Sequence, residues 1–366
     1  MSKKYKVIDL FAGIWWLSYG FYHSNDFEVV AANEILPDMC KTYRLNHPWV
    51  NVYEMDIANF NIDLVKQQQW INQWDIDIII WWPPCQAYST VWKRLLDDPR
   101  WKLFQEYYRI LKEFSPTMFI YENVKWLLSM KWGELIKNIT ELFGSLWYFV
   151  KFKVINVANY WVPQLRERVI MVGSKIDWNF EYPSETHNEK WLNWLEKRVT
   201  LEEAIWDLPQ IDSWWKASNY ENDPYTEYQK TIRNNNKTLY DHESPKNWDH
   251  LLELMKHIPE WWSPENAPEH LRPKSWFWNT YCRLRNDRPW MTITRNLWTP
   301  SSSRCIHPTQ DRPLSTREGA RIQSFPDTFR FAWSRSSKNL QLWNAVPPIL
   351  SKHLSKSVLK YLQQIT

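Results

Sequence analysis

An apolar run that leads into two prolines and a cysteine is the feature that most constrains this chain of 366 residues. The run over 76–80 predicts a buried β-strand. Pro83 and Pro84 then stop the sheet and fix the backbone, so Cys85 is expected just past the strand's carboxyl end. Open α/β sheets place their chemistry at that edge, where a thiol can act as a nucleophile. A free cysteine is more often a small buried apolar residue, so Pro-Pro-Cys alone supports both interpretations about equally.

Strand and helix patterns alternate on both sides of this run and predict a mostly parallel sheet of the Rossmann type. The sequence predicts strands over 6–10, 27–32, 52–57, 75–80 and 117–121, a β-hairpin over 149–157 and 168–172, and helices that include 103–114 and 349–363. The resulting fold class is α/β.

The turn after the first predicted strand is suited to a nucleotide-like cofactor. Such a ligand approaches the backbone only where side chains are absent, a need that Gly13 meets and that Trp15 and Trp16 do not. Glu34 follows the second strand, where a carboxylate suits a ribose diol. A charge placed at a helix N-terminus explains Glu34 equally well on local grounds.

Two further groups of polar residues follow predicted strands. Glu122 is expected at the same sheet edge as Cys85, either as an acid or as an ordinary strand-end carboxylate. Alternation places Arg166 and Arg168 on one face of the next strand. Two adjacent guanidiniums favour an anionic partner, and a surface ladder with Glu167 is the alternative.

Two loop-rich stretches offer contact surfaces. The loop after Cys85 carries the polar and basic residues Ser89, Thr90, Lys93, Arg94, Arg100 and Lys102. It is either a solvated surface loop or a lid over a phosphate backbone. Strand signals are weak over 175–285, which indicates a segment used for contact. Its His242, His250 and His257 lack metal-ligand spacing and are interpreted as surface residues.

Charge and cysteine content exclude several classes of protein. The net charge of +4 and the pI near 8.6 are compatible with a polyanionic partner without requiring one. The four cysteines form no CxxC pair and no disulfide framework, which argues against structural zinc and indicates a reducing compartment. The sequence shows no signal peptide and no stretch apolar enough to span a membrane.

Tryptophan is abnormally frequent and glycine abnormally rare. The chain has 28 Trp and 6 Gly, whereas ordinary usage predicts roughly 25 glycines at this length. Many of the tryptophans stand in turn-like contexts, such as Trp132-Gly133 and Trp261-Trp262. We therefore interpret many of them as occupying positions where glycine is usual.

Six ordered blocks resemble the cytosine-C5 DNA methyltransferase family, of the bacterial restriction–modification type. The blocks are Asp9-Leu10-Phe11-Ala12-Gly13, Pro83-Pro84-Cys85-Gln86, Glu122-Asn123-Val124, Gln164-Leu165-Arg166-Glu167-Arg168, 317–327 with Phe-Pro-Asp, and Asn344-Ala345-Val346. The resemblance covers most of the chain, and a long variable segment separates the fourth block from the fifth. It implies a Rossmann-like S-adenosylmethionine-dependent methyltransferase fold. A catalytic and cofactor-binding domain over 1–175 would be completed by 325–366, with a smaller, loop-rich target-recognition domain over 176–324.

The resemblance also implies a reaction and roles for residues. A methyl group would pass from S-adenosylmethionine, without a metal, to C5 of a cytosine flipped out of a specific duplex DNA site. Cys85 would attack C6, and Glu122 would protonate or hydrogen-bond N3. Arg166 would fix the base carbonyl, and Arg168 would support Glu122 or the loop around it. The implied cofactor contacts are Phe11, Gly13, Glu34, Asp56, Ile57, Pro84, Leu103, Asn344 and Ala345, and the implied DNA contacts are Gln86, Ser89, Arg100 and Thr292.

The departures from the family pattern leave a second hypothesis open. The family has glycine at Trp15 and Trp16, commonly at Trp82, Trp161 and Trp343, and often at Trp126. The chain would then be a DNA-binding protein of the same fold whose cofactor loop is blocked by Trp15 and Trp16. A tRNA methyltransferase of this fold is a third hypothesis, against which the long variable segment favours duplex DNA. The resemblance further implies a cytoplasmic bacterial monomer, away from membranes, with a restriction endonuclease that acts on the same site.

Overall fold

A computed structural model describes residues 4–14, 17–82, 101–177, 179–190, 194–260 and 262–365. By backbone contacts the chain divides into two compact units. Unit 1 comprises Met1–Val157, Glu167–Glu185 and Val346–Thr366, and unit 2 comprises Ala158–Arg166 and Thr186–Ala345. The predicted catalytic and target-recognition domains are functional divisions with bounds of their own, and they stay predictions.

Elements are numbered along the chain. The strands of unit 1 are β1 Tyr5–Leu10, β2 Phe27–Glu34, β3 Asn51–Glu54, β4 Ile78–Trp81, β5 Met118–Val124, β6 Phe149–Asn156 and β8 Glu167–Ser174. Its helices are α1 Tyr19–Tyr22, α2 Pro37–Asn46, α3 Ile62–Gln69, α4 Trp101–Phe114, α5 Glu134–Gly144 and α11 Pro348–Ile365. The strands of unit 2 are β7 Gln164–Leu165, β9 His187–Asn188, β10 Glu196–Lys197, β11 Lys216–Asn219, β12 Thr238–Glu243 and β13 Trp290–Met291. Its helices are α6 Leu201–Ile205, α7 Glu227–Arg233, α8 Asp249–Lys256, α9 Thr316–Ile322 and α10 Arg335–Asn344.

Unit 1 is built on a sheet whose described strands follow the order β3-β2-β1-β4-β5-β8-β6. The first five strands pair in parallel, whereas β8 runs antiparallel to both β5 and β6. Successive strands are added on one side of β1 up to β3 and on its other side from β4 onwards. The carboxyl ends of β1 and β4 therefore flank a crevice of the kind where open α/β sheets bind ligands. The predicted Rossmann-like α/β fold and the predicted hairpin are confirmed.

Apolar sequence explains why these strands lie at the centre. Residues 78–81 of β4 are fully buried, as expected for a parallel strand covered on both faces. Tyr107 of α4 packs against this strand, with its ring centroid 4.0 Å from that of Trp81. The strand predicted over 52–57 ends early, at Glu54. The reason is that the Asp56 side chain accepts a hydrogen bond from Ala58 N and starts a helical turn.

Several of the tryptophans have an unusual backbone conformation. Among the described residues, six tryptophans have φ values between 53° and 85°, namely Trp70, Trp147, Trp161, Trp194, Trp214 and Trp333. This left-handed region favours glycine, because a Cβ crowds the neighbouring carbonyl there. Trp81 behaves differently, since it is buried in the core. The backbone thus supports the glycine interpretation at particular positions, of which Trp161 is one that the resemblance named.

Replacing Trp70 with glycine is expected to stabilise the protein by about 1 kcal/mol. Trp70 follows α3 in a left-handed conformation, and Ile71 N donates to Lys66 O to close the helix end. Its indole is 90% exposed, so little burial is lost. Trp49 is 86% exposed without a positive φ. Trp49→Gly should therefore lower the stability, and equal shifts of both variants in urea unfolding would contradict the argument.

Candidate active site

The turn after β1 lies at the crevice between β1 and β4. Phe11 and Gly13 both have left-handed backbones, with φ values of 54° and 57°. Ala12 N donates to Asn33 O at 2.9 Å, which ties the turn to the end of β2. Gly13 N donates to Glu34 Oε2 at 2.9 Å. The sequence block from Asp9 to Gly13 therefore forms a tight turn held by a carboxylate from the neighbouring strand.

Glu34 is a fixed, buried hydrogen-bond acceptor at this turn. Its other oxygen, Oε1, accepts from Ile35 N at 2.8 Å and from Leu36 N at 2.9 Å, just before α2 begins. Burial raises the pKa of Glu34, and these N–H groups together with Gly13 N oppose that rise. The carboxylate contacts both the N-terminal end of α2 and the turn, which agrees with the helix-terminus interpretation, and contact between Glu34 and a ribose stays a prediction.

The other predicted cofactor residues of unit 1 lie at neighbouring strand ends. Asp56 follows β3 and caps the helical turn that begins at the buried Ile57. Leu103 of α4 is partly buried against the core of unit 1. Asn344 and Ala345 belong to unit 2, at the end of α10. Four predicted cofactor residues thus lie at or just after the carboxyl ends of β1, β2 and β3, namely Gly13, Glu34, Asp56 and Ile57.

Asp9 is a buried acid that the sequence did not single out. Its Oδ2 accepts from Ser18 Oγ at 2.6 Å. Burial raises the pKa of Asp9 to about 7, and the nearby Glu34 charge adds to this rise, whereas the Ser18 hydrogen bond opposes it. The raised pKa favours the protonated form of this carboxyl next to the candidate cofactor turn.

At each pH the stability of Asp9→Asn is compared with that of the parent. This difference is expected to favour Asp9→Asn by about 1–2 kcal/mol more at pH 8 than at pH 4. The raised pKa favours the protonated form, so the contribution of Asp9 is fully present below pH 3.8 and is lost as pH rises through about 7. Asparagine keeps an acceptor for Ser18 without this loss. Urea unfolding between pH 4 and pH 8 measures the effect, with the exposed Asp63→Asn as control. Parallel pH curves for parent and Asp9→Asn would contradict it.

An ion pair lies at the carboxyl end of β5, the strand next to β4. Glu122 is 1% exposed, and Arg168 Nε lies 3.0 Å from its Oε1. In the antiparallel register, Glu122 faces Ile170 and Val124 faces Arg168, so the two charged side chains lie diagonally on one face. The predicted contact between Arg168 and Glu122 is therefore present.

The prediction that Arg166 and Arg168 share a strand face is wrong. β7 ends at Leu165 and β8 begins at Glu167, so Arg166 lies outside both strands and strand alternation does not apply to it. Arg166 is 1% exposed, and its Nη1 donates to Trp343 O at 3.0 Å. The alternative surface ladder is also wrong, because Glu167 pairs with Lys125 at 3.0 Å.

The predicted DNA contacts divide between described and masked parts of the chain. Thr292 is described, and its hydroxyl donates to Leu165 O at 2.9 Å. Cys85, Pro84, Gln86, Ser89 and Arg100 lie outside the residues that the structure describes, as do Trp15 and Trp16.

Each described cysteine is an inert thiol. Cys40, Cys282 and Cys305 are free and buried. Burial raises the pKa of Cys40 and of Cys305 to about 12, and it also raises that of Cys282. A protonated thiol is a poor nucleophile. These three cysteines are therefore poorly suited to act as nucleophiles.

One of the three histidines was misplaced by sequence reasoning. His242 is fully buried, and its two ring nitrogens lie 2.9 Å from Ser315 Oγ and 2.9 Å from Pro209 O. Burial lowers its pKa to about 4. The surface assignment of His242 is therefore wrong, whereas His250 and His257 are exposed as expected.

Metal and membrane sites are absent within the ranges described. No group of three or more His, Cys, Asp or Glu side chains is arranged there to hold a metal ion. None of the helices seen in those ranges is long and apolar enough to cross a bilayer.

Comparison with known proteins gives a consistent result. The family model described as C-5 cytosine-specific DNA methylase matches residues 5–360. Type II methyltransferase M1.HphI of Haemophilus parahaemolyticus is 32% identical over 96% of this chain and 86% of its own length. Type II methyltransferase M.DdeI of Desulfomicrobium norvegicum is 33% identical over 98% of this chain and 89% of its own length.

Solved structures share the fold. A prophage-encoded E. coli protein of known crystal structure superposes with a TM-score of 0.78 at 23% identity, covering 98% of this chain and all of its own. The Entamoeba histolytica methyltransferase EhMeth superposes with a TM-score of 0.63 at 16% identity, covering 99% of each chain.

Proposed function

Because this chain belongs to the C-5 cytosine-specific DNA methylase family, we propose that it transfers a methyl group from S-adenosylmethionine to C5 of a cytosine in a specific duplex DNA site. The observation that carries the proposal is the buried Glu122–Arg168 ion pair. It lies at the carboxyl end of β5, beside β4, the strand that leads towards Cys85. An acid and a nucleophile on neighbouring strand ends are what this chemistry requires.

The reaction depends on making C5 nucleophilic. The Cys85 thiolate adds to C6, and the Glu122 carboxyl gives a proton to N3, so the ring becomes an enamine without a full negative charge. C5 would then take the methyl group as the bond between methyl and the donor sulfur breaks, which would leave the donor as a neutral thioether. Loss of the C5 proton to water, departure of the Cys85 sulfur from C6 and return of the N3 proton to Glu122 would restore the aromatic ring, the thiolate and the acid. The base must be flipped out of the helix, because C6 is not accessible within a stacked duplex.

The arginines orient this chemistry. Arg168, 3.0 Å from Glu122 Oε1, fixes the carboxyl group towards one position of the base and stabilises its ionised form after proton transfer. We assign Arg166 to the base carbonyl at O2, where a guanidinium stabilises charge that develops during attack on C6.

The described residues fit the methyl donor. S-adenosylmethionine, when bound, supplies an electrophilic methyl group on a sulfonium. The left-handed turn at Phe11 and Gly13 leaves backbone open to a ligand, and the fixed Glu34 carboxylate offers acceptors for ribose hydroxyls. Asp56 and Ile57 would contact the adenine end. We assign Pro84, Leu103, Asn344 and Ala345 to the same ligand from the family pattern.

We assign target recognition to 176–324 and contact with the flipped strand to Gln86, Ser89 and Arg100. A basic loop after Cys85 suits a phosphate backbone, since phosphate contacts position a protein on DNA and base edges specify the site. A cognate restriction endonuclease and a monomeric state complete the proposal.

The proposal is tested by calorimetric titration with S-adenosylmethionine and by transfer of labelled methyl groups to duplex DNA and, separately, to tRNA. The parent chain is compared with a variant in which Trp15 and Trp16 are both glycine. Binding and transfer to DNA by the parent support the proposal. DNA binding with cofactor binding only in the variant supports the blocked-loop alternative. Transfer to tRNA alone, or no cofactor binding by either protein, overturns the proposal.

A further inference from the structure

We propose that Thr292 and Gln164 are positioning residues that hold Arg166 for the reaction, an inference that rests on the proposed function. Both residues and Arg166 belong to unit 2. Thr292 would then act through Arg166 and not by contacting DNA directly, which departs from the role that the family resemblance implied.

The two segments are joined first by backbone pairing. β7 and β13 run parallel, with Gln164 opposite Trp290 and Leu165 opposite Met291. Trp290 N donates to Pro163 O at 3.0 Å. A pair of two-residue strands has few hydrogen bonds of its own and is only marginally stable without further contacts.

Two side-chain hydrogen bonds also join the segments that contain β7 and β13. Thr292 Oγ1 donates to Leu165 O at 2.9 Å. Gln164 Oε1 accepts from Ile293 N at 3.4 Å, a longer bond. Gln164 is fully buried. We call these two side-chain bonds, with the β7–β13 pairing, the 164–293 clamp.

The clamp acts on Arg166 through a rigid group. The carbonyl of Leu165 belongs to the peptide plane that also contains Arg166 N, so fixing that oxygen fixes the start of Arg166. At the other end of the side chain, Nη1 donates to Trp343 O at 3.0 Å. Arg166 is therefore held at its backbone by the clamp and at its guanidinium by a second segment of unit 2.

Gln164 offers a way to separate activity from stability. Its Nε2 is buried and has no hydrogen-bond partner among the residues that the structure describes, and a buried unpaired donor destabilises a protein by about 1–3 kcal/mol. Gln164→Met keeps the volume and removes that donor together with the useful Oε1. Because the change also leaves the buried Ile293 N without its acceptor, the two effects offset each other, and the variant should fold about as well as the parent while it loosens the clamp.

The experiment uses the full chain with four variants. Thr292→Val removes the hydroxyl, Thr292→Ser keeps it, and Gln164→Met removes the amide. Thr140→Val is the matched control, because Thr140 Oγ1 also donates to a backbone carbonyl, Ile136 O at 2.8 Å, but within α5 of unit 1. Amide hydrogen exchange of peptides covering 160–168, the single-turnover methyl-transfer rate and the dissociation constant for duplex DNA are measured for each.

We expect faster exchange over 160–168 and a 10- to 100-fold slower single turnover in Thr292→Val and Gln164→Met. DNA affinity should stay within about 3-fold, Thr292→Ser should recover most of the rate, and Thr140→Val should match the parent. Weaker DNA binding with an unchanged rate would make Thr292 a DNA contact and overturn the inference. Unchanged exchange would overturn it as well. No transfer by the parent would overturn the proposed function and the catalytic purpose of the clamp, while hydrogen exchange would still show whether the clamp holds.

Discussion

Replacement of Cys85 with alanine is expected to slow methyl transfer to duplex DNA by about 10⁴-fold or more, with little change in DNA affinity. Without the sulfur no bond forms to C6, and C5 keeps its poor nucleophilicity. Loss of a covalent nucleophile has effects of this size in other enzymes that form covalent intermediates. Deleting one thiol removes little contact surface, so binding should persist.

Single-turnover transfer of labelled methyl groups and DNA titration check this result. Cys305→Ala is the matched control, because Cys305 is fully buried and its raised pKa of about 12 keeps it a neutral thiol. The control should lose about 1 kcal/mol of stability from lost packing and keep its transfer rate. A Cys85→Ala chain that transfers within 10-fold of the parent would exclude the covalent mechanism.

The positions of the central strand ends could be predicted from the sequence. Buried parallel strands are strongly apolar, so the run at 76–80 and the residue after each strand are visible in the sequence. Glu34 and Glu122 were assigned to the edge of the sheet in this way, and each lies at the carboxyl end of its strand. The contact between Arg168 and Glu122 followed from the family pattern and is present at 3.0 Å.

The wrong predictions concern residues whose neighbours in the structure belong to distant parts of the chain. Alternation places side chains only within one continuous strand, and the break at Arg166 is set by the pairing of β7 with β13, more than 120 residues later. His242 carries no local sign of burial, because its partners Ser315 and Pro209 belong to other segments. A short strand pair and a buried imidazole are thus tertiary features that periodicity does not encode.

The composition predicted that some tryptophans occupy strained positions, but it did not identify those positions. The excess of Trp over Gly indicated glycine-like positions, and Trp161 is left-handed as the family pattern suggested. Trp343, assigned by the same reasoning, lies within α10 and has no positive φ. Some positions require glycine for a positive φ and others only for space, and the sequence does not distinguish the two requirements.

A buried group of charges in unit 2 was invisible to sequence reasoning. Arg321 is fully buried, and its Nε and Nη2 contact the Asp327 carboxylate at 3.0 and 2.7 Å. Its Nη1 and Nη2 also donate to Asp207, over a sequence distance of 114 residues. Burial alone raises the pKa of Asp327, but the charge and hydrogen bonds of Arg321 outweigh burial and lower it. The Arg321 guanidinium therefore keeps the buried Asp327 carboxylate ionised, and it also pairs with the buried Asp207.

Arg321→Ala is expected to lower the free energy of unfolding by about 3–5 kcal/mol, because it leaves Asp207 and Asp327 buried without their main cation. Arg317 Nη1, 3.7 Å from Asp327, and Arg233 Nη1, 3.9 Å from Asp207, are too distant to replace it fully. Urea unfolding at pH 7 measures the loss, and the exposed Arg295→Ala should change stability by less than about 0.5 kcal/mol.

A second substitution separates lost charge pairing from lost packing. Adding Asp207→Asn to Arg321→Ala removes one uncompensated charge and should recover about 1–2 kcal/mol, whereas Asp207→Asn alone should destabilise the parent. If the two losses simply add, the effect of Arg321 is packing and the electrostatic argument is wrong. If the double variant is more stable than Arg321→Ala, the carboxylates are what the guanidinium holds in place, and unit 2 is stabilised by contacts among segments that the sequence separates widely.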